Sequence, residues 1–325
     1  MTVIGLPRWL ADEFAAPLQA AADRCRVNLL PLEGEEGEPG LDRVEIAVDG
    51  HYDAPLPFAE LLAQMPRLRW IHATGAGIEG FASPELAERG ILVTNSSGIF
   101  APAMAEYAVA GLVSIAREFP RLHAAQREGR WRHERISGSE LYGKRLGIVG
   151  YGQTGRYVAR VCKGLGMEVW ATRRRPVLPT DEPADQLLPA ERLHELLAAC
   201  DYVVLTASLN STTRRLLGPE EFRALKPGAG LVNVARGGLV DQDALVEALA
   251  DGRLRGAVLD VVDPQPLPPE SPLWRLPNVI VTSHISGGTP EGWMRSIELF
   301  CLNLPLYLDG HPERMANVVD LVDHL

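Results

Sequence analysis

Arg145-Leu146-Gly147-Ile148-Val149-Gly150-Tyr151-Gly152-Gln153-Thr154-Gly155 decides how this chain is read. An apolar strand pattern runs into G-x-G-x-x-G. Tyr157, Val158, Val161, Cys162 and Leu165 then follow as a helix pattern, and a new strand pattern opens at Glu168. Alone, the glycine pattern occurs often by chance. Between a strand and a helix it has a mechanism, because the glycines let the turn close and let backbone N–H groups approach a pyrophosphate that the helix N-terminus favours. Dinucleotide binding is therefore expected over a mere tight turn, with Gly150, Gly152, Gln153, Thr154 and Gly155 at the phosphates. An acidic residue about twenty positions on usually bonds the adenosine ribose of NAD. Here Thr172-Arg173-Arg174-Arg175 stands instead. Guanidinium groups suit a 2′-phosphate, so Arg173 and Arg174 point to NADP in preference to NAD; the bland alternative is a solvated basic loop.

Outward from this unit, β-branched runs alternate with helix patterns, the rhythm of a parallel α/β sheet. Val44 to Val48, Leu68 to His72 and Ile91 to Thr94 read as strands of a first unit. Arg145 to Val149, Glu168 to Ala171, Tyr202 to Thr206, Gly230 to Val234, Ala257 to Leu259 and Val279 to Thr282 read as strands of a second. One long apolar helix is expected from about Pro102 to Ala125, bridging the two. Thr289-Pro290-Glu291 reads as a helix start, with Met294, Ile297, Cys301, Leu304 and Leu308 as its buried face and Pro305 as a kink. Glu33 to Gly40 reads as a solvated loop.

A length of 325 residues with 46% apolar side chains suits two cores. The formal net charge of −10, without a basic stripe, argues against nucleic acid as a partner. Cys25, Cys162, Cys200 and Cys301 contain no C-x-x-C pair, which argues against a zinc site or a disulfide framework and suits a reducing compartment. Met1 to Ala16 has no apolar run long enough for a signal peptide or a membrane span, so the expected location is the cytoplasm.

In an open α/β sheet ligands bind beyond the carboxyl ends of strands. Arg236, the stretch Asp260 to Gln265, and His284 each follow such an end. A guanidinium can grip a carboxylate through two hydrogen bonds, and an imidazole titrates near neutrality, so together they suit a 2-keto acid that must be held and protonated. Taken singly, a surface ion pair and a structural histidine are the commoner readings.

With these residues in place the chain resembles the D-2-hydroxyacid dehydrogenases over nearly its whole length. The resemblance is carried by the glycine motif, Lys226-Pro227-Gly228 leading into Asn233-Val234-Ala235-Arg236-Gly237, Leu259-Asp260-Val261, Pro264-x-Pro266-Leu267, Leu276-Pro277-Asn278-Val279 and His284-Ile285-Ser286-Gly287. It implies two doubly wound parallel-sheet domains. A flavodoxin-like substrate domain would comprise 1–98 and 287–325, with a dinucleotide domain at 99–286 inserted in it and carrying a homodimer contact. It implies that Arg236 orients the keto acid and that His284 is the acid in reduction and the base in oxidation. Backbone N–H groups of Ala76 and Gly77, in Gly75 to Glu79, would bind the substrate carboxylate, while Ala235 and Asp260 join the cofactor set. The family's glutamate partner of the histidine falls on Gln265, which orients the ring without a carboxylate's pull toward imidazolium; Asp263 is the alternative source of charge.

The expected function is hydride transfer between NAD(P)H and a small 2-keto acid of the glyoxylate, hydroxypyruvate or pyruvate kind. A formate dehydrogenase is one alternative, since those relatives also carry glutamine there. However, their formate-holding asparagine falls near Phe100, and a phenyl ring donates no such bond. The other is a non-catalytic, dinucleotide-sensing corepressor-like protein. Phe100, Trp293 and Met294 are candidates for the substrate side-chain pocket, or plain core.

Overall fold

A computed structural model describes residues 1–49, 55–78, 81–131, 138–174 and 182–321. The chain divides into two compact units, one formed by 1–100 with 289–325 and the other by 101–288.

The first unit holds five parallel strands: β1 (Val3–Pro7), β2 (Asn28–Leu32), β3 (Val44–Asp49), β4 (Trp70–Ala73) and β5 (Leu92–Asn95), in the order β2-β1-β3-β4-β5. That is the flavodoxin-like order. Side chains alternate between two cores, Ile46 and Trp70 packing on one face and Ala47 and Ile71 on the other. The edge strand β5 is covered by the chain's own end: Val319 N–H donates to Val93 O at 2.9 Å, and Asn95 N–H to Asn317 O at 3.1 Å.

The second unit holds seven parallel strands: β6 (Arg145–Val149), β7 (Glu168–Arg173), β8 (Gln186–Pro189), β9 (Tyr202–Leu205), β10 (Ala229–Asn233), β11 (Leu254–Leu259) and β12 (Val279–Val281). Their order is β12-β11-β10-β9-β6-β7-β8, so the chain reverses its direction of winding between β6 and β9. Tyr202 and Val204 face one core, Val203 and Leu205 the other, the period of two expected of a sheet covered on both faces. Helix Ala101–Ala116 lies on β10 and β11 through Gly111, where a Cβ would stand 3.3 Å from Val232 and Val258.

Three sequence expectations change. The first sheet begins at Val3, two strands earlier than the patterns suggested, and β8 adds an edge to the second. The long helix is two, Ala101–Ala116 and Phe119–Arg127. Pro120 has no N–H for the carbonyl of Ala116, which instead accepts from Ser139 N–H at 2.7 Å, and Glu118 turns the chain at φ +55°. The last helix, Pro290–Leu308, starts as read, with Thr289 Oγ1 accepting from Gly292 N–H at 3.0 Å, and it continues through Pro305. Its fully buried residues include Ile297, Phe300 and Leu304, whereas Met294 is exposed.

A polar seam runs through the first unit. Thr94 Oγ1 accepts from Trp70 Nε1 and lies 2.9 Å from Nδ1 of the fully buried His72. Burial holds the imidazole neutral and lowers its pKa to about 4, against a smaller opposing pull from the Ser296 backbone. In the unfolded chain the ring takes a proton near pH 6.5. This contribution to stability is therefore fully present above pH 6.5 and is lost as pH falls toward about 4. Urea unfolding at about pH 7.5 and about pH 5 is expected to show an acid loss roughly 2 kcal/mol larger for the protein than for His72→Leu. Equal acid losses in the two proteins would remove His72 as the cause.

Candidate active site

The glycine loop opens the helix Gln153–Gly164 directly after β6, and its three glycines are needed for three reasons. Gly150 sits at φ +96°, and a Cβ there would be 2.4 Å from the Ala207 backbone, so the loop can lie against the end of β9 only without a side chain. Thr206 Oγ1 ties the two ends by donating to Gly150 O at 2.7 Å. Gly155 packs the helix on the strand, its Cβ position 2.8 Å from Gly150 O. Gly152 is different. It is exposed, and no atom lies within 4 Å of its Cβ position, which leaves open the approach that a pyrophosphate requires.

Gln153 and Thr154 form the first helical turn, where unpaired N–H groups and the helix dipole favour an anion. The residues present thus fit a dinucleotide. Arg173 and Arg174 are both exposed at the end of β7, and neither has a partner among the described residues. Arg175 and Glu79 lie outside the described residues.

On the other side of the reversal, β10, β11 and β12 are neighbours, and their carboxyl ends carry Arg236, the Asp260–Gln265 stretch and His284 in that order. The turn after β10 is shaped by buried Asn233, whose Oδ1 accepts from Ala235 N–H at 3.1 Å and whose Nδ2 donates to Arg236 O at 3.0 Å. The Arg236 guanidinium is half-buried and donates through Nη1 to Ala235 O at 2.8 Å. Gly237 is forced by close approach: a Cβ would meet Val262 O at 2.0 Å, so the β10 and β11 loops touch backbone to backbone.

Asp260 organises the far side. Successive N–H groups of His284, Ile285 and Ser286 donate to Asp260 O, Oδ1 and Oδ2 at 2.8, 2.9 and 2.8 Å. Thr282 Oγ1 adds a bond to Oδ1 at 2.7 Å and is itself bonded to the Tyr107 hydroxyl on helix Ala101–Ala116. The carboxylate fills a nest of backbone donors, which holds His284 at φ +56°, a region where non-glycine residues are uncommon. Burial of Tyr107, followed in size by the Thr282 bond, governs its phenol, with a net raised pKa. Sequence reading missed Tyr107 and Thr282. A tyrosine on an apolar helix carries no signal of its own, and only the strand-end position of Thr282 pointed toward the site.

His284 is exposed, and its Nδ1 lies 3.1 Å from the amide nitrogen of Gln265. An amide can present a donor or an acceptor, so it can orient the ring in either protonation state. Asp263 instead lies 3.9 Å from Arg214. Arg236, Asp260, Gln265 and His284 are thus brought together on the second unit.

Ala76 and Gly77 belong to the first unit, just beyond β4. Asn95 Nδ2 donates to Ala76 O at 2.8 Å and Ser96 N–H to Gly75 O at 2.8 Å, fixing this loop from β5. The N–H groups of Ala76 and Gly77 have no acceptor among the described residues.

No helix among the described residues is long and apolar enough to cross a membrane. The sequence profile of the D-isomer specific 2-hydroxyacid dehydrogenase, NAD binding domain, matches residues 109–286. A glyoxylate reductase of Korarchaeum cryptofilum is 35% identical over 266 residues, covering 80% of this chain and 79% of that protein. The crystal structure of a D-isomer specific 2-hydroxyacid dehydrogenase family protein from Aeromonas salmonicida superposes with a TM-score of 0.86 at 29% identity, over 98% of this chain and 99% of that one. A D-isomer specific 2-hydroxyacid dehydrogenase from Xanthobacter autotrophicus, solved with NADPH and MES, gives 0.80 at 27% identity, over 99% and 98% of the two chains.

Proposed function

Because the chain belongs to the D-isomer specific 2-hydroxyacid dehydrogenase family and is an NAD(P)-dependent 2-hydroxyacid dehydrogenase similar to glyoxylate reductases, we propose that it reduces 2-keto acids with Arg236 and His284 at the reacting carbonyl. The observation that supports this reading is the Asp260 clamp on the His284 loop, at a strand end next to the one that carries Arg236. A histidine held in an uncommon backbone conformation by three donors to one carboxylate is a side chain whose direction matters.

Gly150, Gly152, Gly155 and the first turn at Gln153 and Thr154 hold the pyrophosphate, and Ala235 borders the nicotinamide end. When bound, the reduced nicotinamide supplies the hydride to C2 of the keto acid. His284 gives its proton to the carbonyl oxygen, which completes the 2-hydroxy acid, and takes the proton back in oxidation. Arg236 stabilises the negative charge that develops on that oxygen. Ala76 and Gly77 N–H groups receive the carboxylate, consistent with donors that have no acceptor among the described residues. Asp260 holds the His284 loop, and its Oδ2 keeps capacity for one further donor from the cofactor.

Arg173 and Arg174 favour NADP over NAD through a 2′-phosphate. Homodimerisation through the second unit is supported by Phe119, Leu122, Tyr157, Val161 and Leu165, large apolar side chains that stay at least 36% exposed.

The deciding assay follows NADPH and NADH oxidation with glyoxylate, hydroxypyruvate and pyruvate. Turnover is expected, and His284→Ala or Arg236→Ala should lower kcat by roughly 10²-fold or more with cofactor affinity nearly unchanged. Tight nucleotide binding without turnover would instead mark a sensor. The Arg173→Ser/Arg174→Ser pair should raise KM for NADPH by roughly tenfold or more and leave NADH within a few-fold, from the loss of charge-assisted bonds. Gln265→Glu places a carboxylate beside His284 and favours imidazolium, the form that donates the proton. The high-pH limb of reduction should therefore move upward by roughly one unit; an unmoved limb refutes the pairing.

A further inference from the structure

Three aromatic rings of the first unit meet where its strands end. Trp9 follows β1 by two residues, Phe100 follows β5 by five, and Trp293 stands near the start of the helix Pro290–Leu308. Trp293 meets Trp9 with centroids 5.1 Å apart at 86° and Phe100 with centroids 5.8 Å apart at 77°. Two near-perpendicular contacts on one indole build a corner, whereas stacked rings would cover one another's faces. Trp293 packs on the core with one part of its ring, but the corner is not closed over: Trp9 is 42% exposed, and Phe100 and Trp293 are only half-buried.

The corner is tied to the loop that carries the Ala76 and Gly77 N–H groups. Ser296, three residues beyond Trp293, donates through Oγ to Thr74 O at 3.2 Å, directly before Gly75-Ala76-Gly77. Ser96, four residues before Phe100, reaches the same loop through Gly75 O. Polar donors suited to a carboxylate and an apolar wall are thus carried by the same strand ends, the arrangement of a small-molecule site.

We propose that Trp9, Phe100 and Trp293 form the subsite for the C2 substituent of the substrate and select 2-keto acids with an apolar, branched or aromatic substituent over glyoxylate, which has only hydrogen there. The inference rests on the 2-keto acid reductase reading and names its substrate class. Selectivity comes from apolar area covered, for which a single methylene is worth roughly tenfold or more in a fitted pocket. The competing feature on the same elements is Arg295, whose Nε donates to Ile99 O at 3.2 Å. An anionic substituent would use that guanidinium and not the rings.

The test compares kcat/KM for phenylpyruvate, 4-methyl-2-oxopentanoate, glyoxylate and oxaloacetate with NADPH. The apolar pair should exceed glyoxylate by tenfold or more, and Trp293→Ala should shrink the phenylpyruvate-to-glyoxylate ratio at least tenfold. Trp9→Leu, read with a thermal melt, should shrink it in the same direction and guards against a Trp293 variant that fails to fold. Preference for glyoxylate or oxaloacetate, or a ratio unmoved in a folded variant, overturns the subsite while leaving the reductase reading intact. Absence of turnover with all four acids overturns both.

Discussion

The carboxylate of Asp260 is the point on which the loop after β12 depends. A buried acceptor-only group is costly unless its oxygens are occupied. Here the occupants are the backbone of the loop that carries His284 and the hydroxyl of Thr282. The same bonds settle both the desolvation of the carboxylate and the unusual backbone of the histidine. Because Thr282 is also bonded to Tyr107, the helix that spans β10 and β11 is joined to the histidine loop by hydrogen bonds as well as by packing. Removing any one member would leave a polar group unpaired in a confined place, so the group is expected to behave as a unit rather than as separable contacts.

On both sides of the winding reversal, the loops beyond the strands are placed by bringing main chain close to main chain. Gly150 lets the glycine loop lie against the end of β9, and Gly237 lets the Arg236 turn lie against the loop after β11. These approaches leave no room for a side chain, whereas Gly152 faces open space and is free for a ligand. Glycine at these three places therefore means two different things, and only the surroundings of each Cβ position distinguish them.

Much of this was legible beforehand because it is local. The glycine loop announces itself by strand, turn and helix in one stretch, and Arg236, Asp260 and His284 stand directly after apolar strands. Strands β1 and β2 were harder, because Gly5, Pro7 and Pro31 interrupt short runs that lack clear punctuation. The break at Glu118 was missed because apolar composition on both sides outweighed a single proline in the reading. Tyr107 and Trp9 were invisible for another reason. Their roles depend on partners 175 and 284 residues away, Thr282 and Trp293, which no window along the chain contains.

The way the chain's end covers β5 has a consequence for biosynthesis. Residues 101–288 form one continuous unit and can complete their core as soon as that stretch has left the ribosome. The first hundred residues cannot. Their sheet keeps an open edge, and their core lacks Ile297, Phe300 and Leu304, until the last segment has been translated. During that interval the outer edge of β5 is open beside apolar neighbours, the kind of surface to which holding chaperones bind. Residues 1–100 thus precede 101–288 in synthesis but mature after them, and removal of the segment from Thr289 onward should harm the first sheet more than the second.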